Sequence, residues 1–255
     1  LKSPIIRISL QVILTSCLII ENSTFVESTR IFVLDFLIQN IFFFKIFFTI
    51  FCLLILINGT NFIDGVNCLA SGYYICVISN LLILANVMDI NYSYSSILII
   101  FSALLIFFTF NFFSKTLLGD GGCYLIALIL GLYLMDFVNN FKYIISPYYV
   151  ILILWYPAFE NLFSISRRIF LDKNKKVDSP DNLHLHQLLF LFYNKNLKLR
   201  KYSNSLSGIS IVSFNFFIMF IGGKFVNQTT ILVSIVLLSV LFYILTYFFL
   251  KKKTQ

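Results

Sequence analysis

Charged side chains are scarce in this sequence. Asp, Glu, Lys and Arg make up 12% of its 255 residues, against roughly 25% in soluble globular domains. That scarcity argues against one large soluble helical core, which would still need a charged surface. Cysteine carries no pattern either. Cys17, Cys52, Cys68, Cys76 and Cys123 stand singly, four of them in or beside apolar runs. Neither a disulfide framework nor a thiolate metal site is encoded. Histidine occurs only at His184 and His186. The apolar stretches lack the alternation of a transmembrane β-strand. There is no internal repeat of obvious period, and Leu1-Lys-Ser-Pro4 does not open a cleavable signal peptide.

What is present is apolar length. Hydrophobic residues reach 59%, and runs such as Phe36–Ile57, Ile97–Phe113, Ser210–Val226 and Thr230–Leu250 approach the ~20 residues that a helix needs to cross a bilayer. The expected fold is an all-α polytopic integral membrane protein of eight spans, near 5–20, 36–57, 62–85, 96–113, 119–138, 147–163, 208–226 and 229–250. The chain reads as one membrane domain, 1–255, with a single sizeable cytoplasmic loop at 164–207. The net charge of +8 is concentrated in Arg167–Lys201 and Lys251–Lys253, with no aromatic platform for bases. The partner it implies is the lipid bilayer and not nucleic acid, with the basic clusters held inside. Starting from a cytoplasmic N-terminus, parity places Asn58–Asn67, Ser114–Gly122 and the histidine loop on the same cytoplasmic face. Glu21–Arg30, Asp89–Ser95 and Asn139–Ser146 fall on the other.

Three polar segments carry chemistry. In Asn58-Gly-Thr-Asn61-Phe-Ile-Asp64-Gly65-Val-Asn67 the polar residues recur every third position. On a helix they form a strip of oxygens able to hold a hard cation or to hydrogen-bond a base; a plain polar turn broken by glycines is the alternative. In Lys115-Thr-Leu-Leu-Gly119-Asp120-Gly121-Gly122 a carboxylate and glycines precede an apolar helix. This suits a metal-bound phosphate, and equally a capped tight turn. In Asp178-Ser-Pro-Asp181-Asn-Leu-His184-Leu-His186-Gln187, downstream of Glu160 and Arg167-Arg168, the two histidines are spaced i, i+2. They are expected to point apart, one toward a diphosphate and the other orienting the loop.

In this order, the segments resemble those of the polyprenyl-phosphate N-acetylhexosamine-1-phosphate transferases, glycosyltransferase family 4. Asn58–Gly72 is similar to the family's Asn-x-x-Asn-hydrophobic-x-Asp-Gly segment. Gly119-Asp120-Gly121-Gly122, with Asn111 and Lys115 upstream, is similar to its Gly-Asp-(Thr/Gly)-Gly turn. Tyr156–Arg168 and His184-Leu-His186 also fit. The resemblance implies transfer of an N-acetylhexosamine-1-phosphate from a UDP-N-acetylhexosamine to a polyprenyl phosphate, with release of UMP. It implies a multi-pass enzyme of the bacterial inner membrane whose product starts a cell-envelope polysaccharide, and which is compatible with a homodimer. It implies catalytic roles for Asp64, Asp120, His184 and His186, and Mg2+ (with Mn2+ as substitute) held by Asn61 and Asp120. Substrate contacts fall to Asn58, Asn67, Lys115, Gly119 and Arg167, with Asn67 on the uracil.

The sequence departs from the family in three places. Asn67 stands where many members carry a second Asp, Cys68 replaces the glycine that usually follows, and the loop reads His-Leu-His-Gln and not a run of three histidines. Leu1–Gln11 matches a family segment that follows an Asp-Asp pair. The expectation is therefore an N-terminally truncated chain, inactive alone. The alternatives are the phospho-MurNAc-pentapeptide transferase of peptidoglycan synthesis and, outside this class, a membrane transporter.

Overall fold

In the computed structural model, which describes residues 4–90, 92–170, 183–196 and 200–254, the chain folds into helices with no strand among the described residues. They are α1 (Pro4–Glu21), α2 (Phe32–Asn40), α3 (Phe42–Ile63), α4 (Leu69–Val87), α5 (Ser95–Phe112), α6 (Gly119–Asn140), α7 (Pro147–Phe170), α8 (Leu185–Asn196), α9 (Ser203–Gly223) and α10 (Thr229–Thr254). Among the described residues seven are long and apolar enough to cross a membrane: α3, α4, α5, α6, α7, α10, and α9 with the 3-10 turn before it. The chain is a polytopic, all-helical membrane protein. The first of the eight expected spans corresponds to α1, which packs on α3 but is not among these seven.

α4 is the innermost helix, packed between α5 and α9. It is apolar all round, as a helix surrounded by other helices must be. Tyr73 and Tyr74 are fully buried on it, and each hydroxyl finds a partner. Tyr74 pairs with Thr60 of α3, and Tyr73 donates to the Ile153 carbonyl at 2.8 Å. That carbonyl needs a donor because Pro157, one turn on in α7, has no N–H to give it. α3 lies against α7 at the same level, where a Cβ on Gly59 would meet the Pro157 carbonyl oxygen at 2.3 Å. On the outside, apolar side chains stay exposed, as lipid contact permits; Phe43 is 82% exposed.

Three element boundaries differ from expectation. The second span does not start at residue 36: Ile41, in extended conformation, separates α2 from α3. α3 then continues through Asn58 and Asn61 and stops at Asp64, so the polar segment is mostly helix and not a turn. The region expected as a loop from residue 164 is largely helical where described, as α7 reaches Phe170, α8 fills Leu185–Asn196 and α9 begins at Ser203. Asp178 and Asp181 lie outside the described residues.

The two ends of the bundle are chemically distinct. One gathers Glu27, Arg30, Asn139, Lys142, Asn227 and Thr229. The other gathers Arg7, Asn61, Asp64, Asn67, Ser114, Gly119, Asp120 and Asn204.

Candidate active site at the polar end

The site is built where α3 ends. The Asn58–Asn67 strip does not stay on one face, because regular helix ends at Asp64 and Cys68 turns left-handed (φ 66°) before α4 begins. A left-handed residue with a β-carbon is strained by about 1–2 kcal/mol. That strain accounts for glycine being the usual occupant in the resembled motif. Asn58 turns to α1, donating to Gln11 Oε1 at 3.1 Å and to the Leu54 carbonyl at 2.8 Å.

Asn61 and Asp64 turn the other way, to the start of α6. Asn61 Nδ2 donates to Asp120 Oδ1 at 2.8 Å. The Gly119 amide donates to Asp64 Oδ2 at 3.0 Å. Gly119 adopts φ 67°, a conformation that a side chain would strain, and this aims its amide at Asp64. Burial pushes the Asp64 carboxyl above the usual carboxylate range; the Gly119 hydrogen bond opposes this and the nearby Asp120 charge adds to it. The Asp120 side chain is 60% exposed and meets Arg7 Nη1 at 3.5 Å. These oxygens, two carboxylates and an amide on two adjoining turns, are hard donors. They fit Mg2+, which takes one or two carboxylates and completes its shell with phosphate oxygens and water. Among the described residues no three His, Cys, Asp or Glu side chains form a closed metal cage.

Three asparagines and two serines tie the turns together. Asn111 Oδ1 accepts from the Cys68 amide at 2.6 Å and its Nδ2 donates to the Thr116 carbonyl at 2.7 Å. Asn67 Nδ2 donates to Ser114 Oγ at 2.6 Å, and its backbone amide donates to Asn204 Oδ1 at 2.7 Å. Ser205 Oγ reaches the Phe112 carbonyl at 2.7 Å. α9 approaches so closely that a Cβ on Gly208 would sit 2.1 Å from the Asn67 carbonyl oxygen. Lys115 is exposed on the same turn, while Arg167 is buried near the end of α7.

The histidines dock from α8 onto the turn after α3. A Cβ on Gly65 would meet His186 Nε2 at 2.2 Å, and the His184 ring lies 5.4 Å from the Phe62 ring. Contrary to the expectation that i, i+2 histidines point apart, the rings stack, 5.3 Å between centroids and 10° from parallel. His184 precedes the first residue of α8 and so escapes helical spacing. His186 is fully buried, and neither of its ring nitrogens has a hydrogen-bond partner among the described residues; burial holds its pKa down at about 4. His184 Nδ1 faces Glu160 Oε1 at 2.9 Å.

The structure therefore joins residues of all three polar segments at one end. It adds Ser114, Asn204 and Tyr243, which no motif marked, and Arg7, which lies in the matched Leu1–Gln11 segment but had been given no role. Asn204 sits in a Ser-rich stretch whose signal, small polar residues opening an apolar helix, is legible only as close packing.

A model of glycosyl transferase family 4 matches residues 2–138. That region runs from α1 through α6 and includes Asn61, Asp64 and Asp120, while the histidines and Glu160 lie beyond it. The chain is also similar to a probable undecaprenyl-phosphate N-acetylglucosaminyl 1-phosphate transferase of Bacillus subtilis (strain 168), 31% identical over 144 residues. The match covers 53% of this chain and 37% of that protein. No solved structure matches. With more than half of its length inside the family match, and with the matched motifs meeting at one end of the bundle, the chain belongs to glycosyl transferase family 4.

Proposed function

We propose that this end of the bundle transfers an N-acetylhexosamine-1-phosphate from a UDP-sugar to a polyprenyl phosphate, releasing UMP. The observation that supports it best is the meeting of Asn61, Asp64, Gly119 and Asp120 on two turns joined by direct hydrogen bonds. The acceptor is a membrane lipid, and the site lies at the end of membrane-length helices, where a lipid phosphate and a soluble nucleotide meet.

In this reading an acceptor phosphate oxygen bonds to the β-phosphorus of the UDP-sugar while the bond to the bridging oxygen breaks and UMP departs. Such transfers depend mainly on alignment and charge neutralisation. Asp64 and Asp120 supply the carboxyl groups of the two adjoining turns, and Asn61 and Asp120 would hold Mg2+. Bound there, the ion supplies positive charge to the diphosphate oxygens. Arg7, already beside Asp120, keeps that carboxylate oriented. Gly119 leaves its turn uncovered, with no heavy atom near a built Cβ, so substrate can approach the backbone. Lys115, Asn58, Asn67 and Arg167 belong to the substrate side, with Asn67 assigned to the uracil. His184 and His186 serve the diphosphate and sugar side.

The location that follows is the bacterial inner membrane with the site cytoplasmic, the same end as Lys251–Lys253 on α10. The test is UMP release by the protein in lipid bilayers, supplied with undecaprenyl phosphate, Mg2+ and a panel of UDP-N-acetylhexosamines. Release that depends on both substrates is expected. Release with a UDP-muramoyl-pentapeptide alone would move the donor to peptidoglycan synthesis, and none with any donor would overturn the reading.

A further inference from the structure

We propose that Glu160 and Tyr243 are positioning residues for His184: the Tyr243 hydroxyl and the His184 ring share the Glu160 carboxylate, which fixes the imidazole's orientation and places its proton on Nδ1. The proposal rests on the transferase reading for its kinetic consequence, though not for its geometry.

Glu160 lies in α7 and is 1% exposed. A carboxylate buried in a membrane bundle is costly unless hydrogen-bonded on both oxygens. Both are occupied here. Oε1 faces His184 Nδ1 at 2.9 Å, and Tyr243 donates its hydroxyl hydrogen to Oε2 at 2.6 Å. An ionised carboxylate only accepts hydrogen bonds. The nitrogen that faces it must therefore be the protonated one, and the lone pair of a neutral His184 then falls on Nε2, across the ring. A carboxylate behind an imidazole is a recurrent way to select tautomer and ring orientation.

The rest of the surroundings hold the same ring in place. Phe62 of α3 lies against it, and His186 stacks on it. His186, kept neutral by burial, adds no competing charge. Tyr243 itself is clamped by aromatic rings of α7, with Phe159 at 5.0 Å and Phe163 at 5.3 Å. The last helix, outside the region that the family model matches, thus reaches the histidine through Glu160. That contact gives α10 a part in the site beyond spanning the membrane.

The test pairs a spectroscopic readout with a kinetic one, on the whole chain in lipid bilayers with 15N-labelled histidine. At alkaline pH, where the imidazole is neutral, wild-type His184 should show a protonated Nδ1 and an unprotonated Nε2. Glu160→Gln should lose that signature, and Tyr243→Phe should keep it with a broadened line. UMP release should fall about 10- to 100-fold in kcat for Glu160→Gln, the usual penalty for losing a carboxylate that orients a histidine. Tyr243→Phe should fall several-fold, with KM for the UDP-sugar little changed in either. A wild-type His184 protonated on Nε2, with Glu160 then the acid donating to Nδ1, overturns the proposal. So does a signature unchanged in Glu160→Gln. If Glu160→Gln does not fold, Tyr243→Phe decides: a kcat equal to wild type overturns the positioning role. Absence of transferase activity in the wild type would overturn the functional reading, and the nitrogen signature would then decide the hydrogen-bond network by itself.

Discussion

Both ends of the bundle are polar, yet they use their polar groups differently. At the end opposite the site, groups are consumed by one another. Asp35 accepts from Ser28 Oγ at 2.8 Å, from the Thr29 amide at 2.5 Å and hydroxyl at 2.8 Å, and from the Arg30 amide at 3.1 Å. The Arg30 guanidinium donates to the Asn227 carbonyl at 3.1 Å, to its side chain at 2.9 Å and to Thr229 at 2.8 Å. Lys142 pairs with Glu27 at 3.2 Å. This end staples loops together and leaves little capacity over. At the site end, Asp120 is open to solvent and Asp64 is held in a carboxyl-raising environment, while His186 is buried with both nitrogens unmet among the described residues. Polar groups that structure alone would pair or remove are retained there, as the proposed substrate site requires.

The sharpest way to break this contrast is at Asp120. Because the side chain is exposed, Asp120→Asn should leave the thermal unfolding midpoint almost unchanged. UMP release should nevertheless fall by about 100-fold or more, the scale of losing a charge-stabilising group in a transition state. Equal losses of stability and activity would place Asp120 among the staples.

Gly65→Ala comes next. Its methyl would collide with the His186 ring, so α8 must lift from the turn. If His186 serves the site as proposed, activity should drop by up to about 100-fold, the scale of a 1 Å misplacement, and amide exchange across 185–196 should accelerate. Unchanged exchange would show that His186 does not dock there.

Acid should act on the same contact. The folded-state pKa of His186, about 4, lies below its ordinary 6.5. Between those values the unfolded chain binds a proton that the folded chain refuses. Stability is therefore flat above pH 6.5 and declines as pH falls toward 4, by about 3 kcal/mol at most. Asp64, whose carboxyl is raised by burial, contributes with the opposite sign and softens the decline. Hydrogen exchange of 185–196 across that pH range checks it; protection that rises on acidification would refute it.

The smallest effect belongs to the other end. Arg30→Ala should lower stability by about 1 kcal/mol, the net worth of an ordinary hydrogen bond, and leave UMP release within twofold of wild type. A large kinetic effect from so remote a residue would erase the distinction between the ends.

How much of this was legible beforehand varies by residue. The membrane class follows from apolar runs, since nothing else buries a helix such as α10 in which Thr229–Leu250 carries no charge. The break at Ile41 was passed over although Gln39-Asn40 stands just before it, because the apolar runs on either side join into one span of membrane length. Nor was the run of α3 legible past Asn58, where the side chain itself caps the Leu54 carbonyl within the helix. Asp64 and Asp120 stood out as carboxylates in otherwise apolar surroundings. The stacking of His184 on His186 did not, since spacing rules assume a regular backbone and the loop residue before α8 breaks it.

The amino-acid sequence by itself determined that the chain is helical and membrane-embedded, that its chemistry gathers in three polar segments, and which family motifs those segments resemble. Each of these depends on local composition and spacing, which water and lipid read directly. Only the tertiary structure decided that Asn61 meets Asp120, that Asp64 takes the Gly119 amide, that Asn204 and Arg7 join them, and that Tyr243 reaches Glu160. Those pairings span from 55 to 137 positions of chain. They are set by how close glycine and serine let neighbouring helices approach, and by the need of each buried polar group for a partner that its own helix cannot supply.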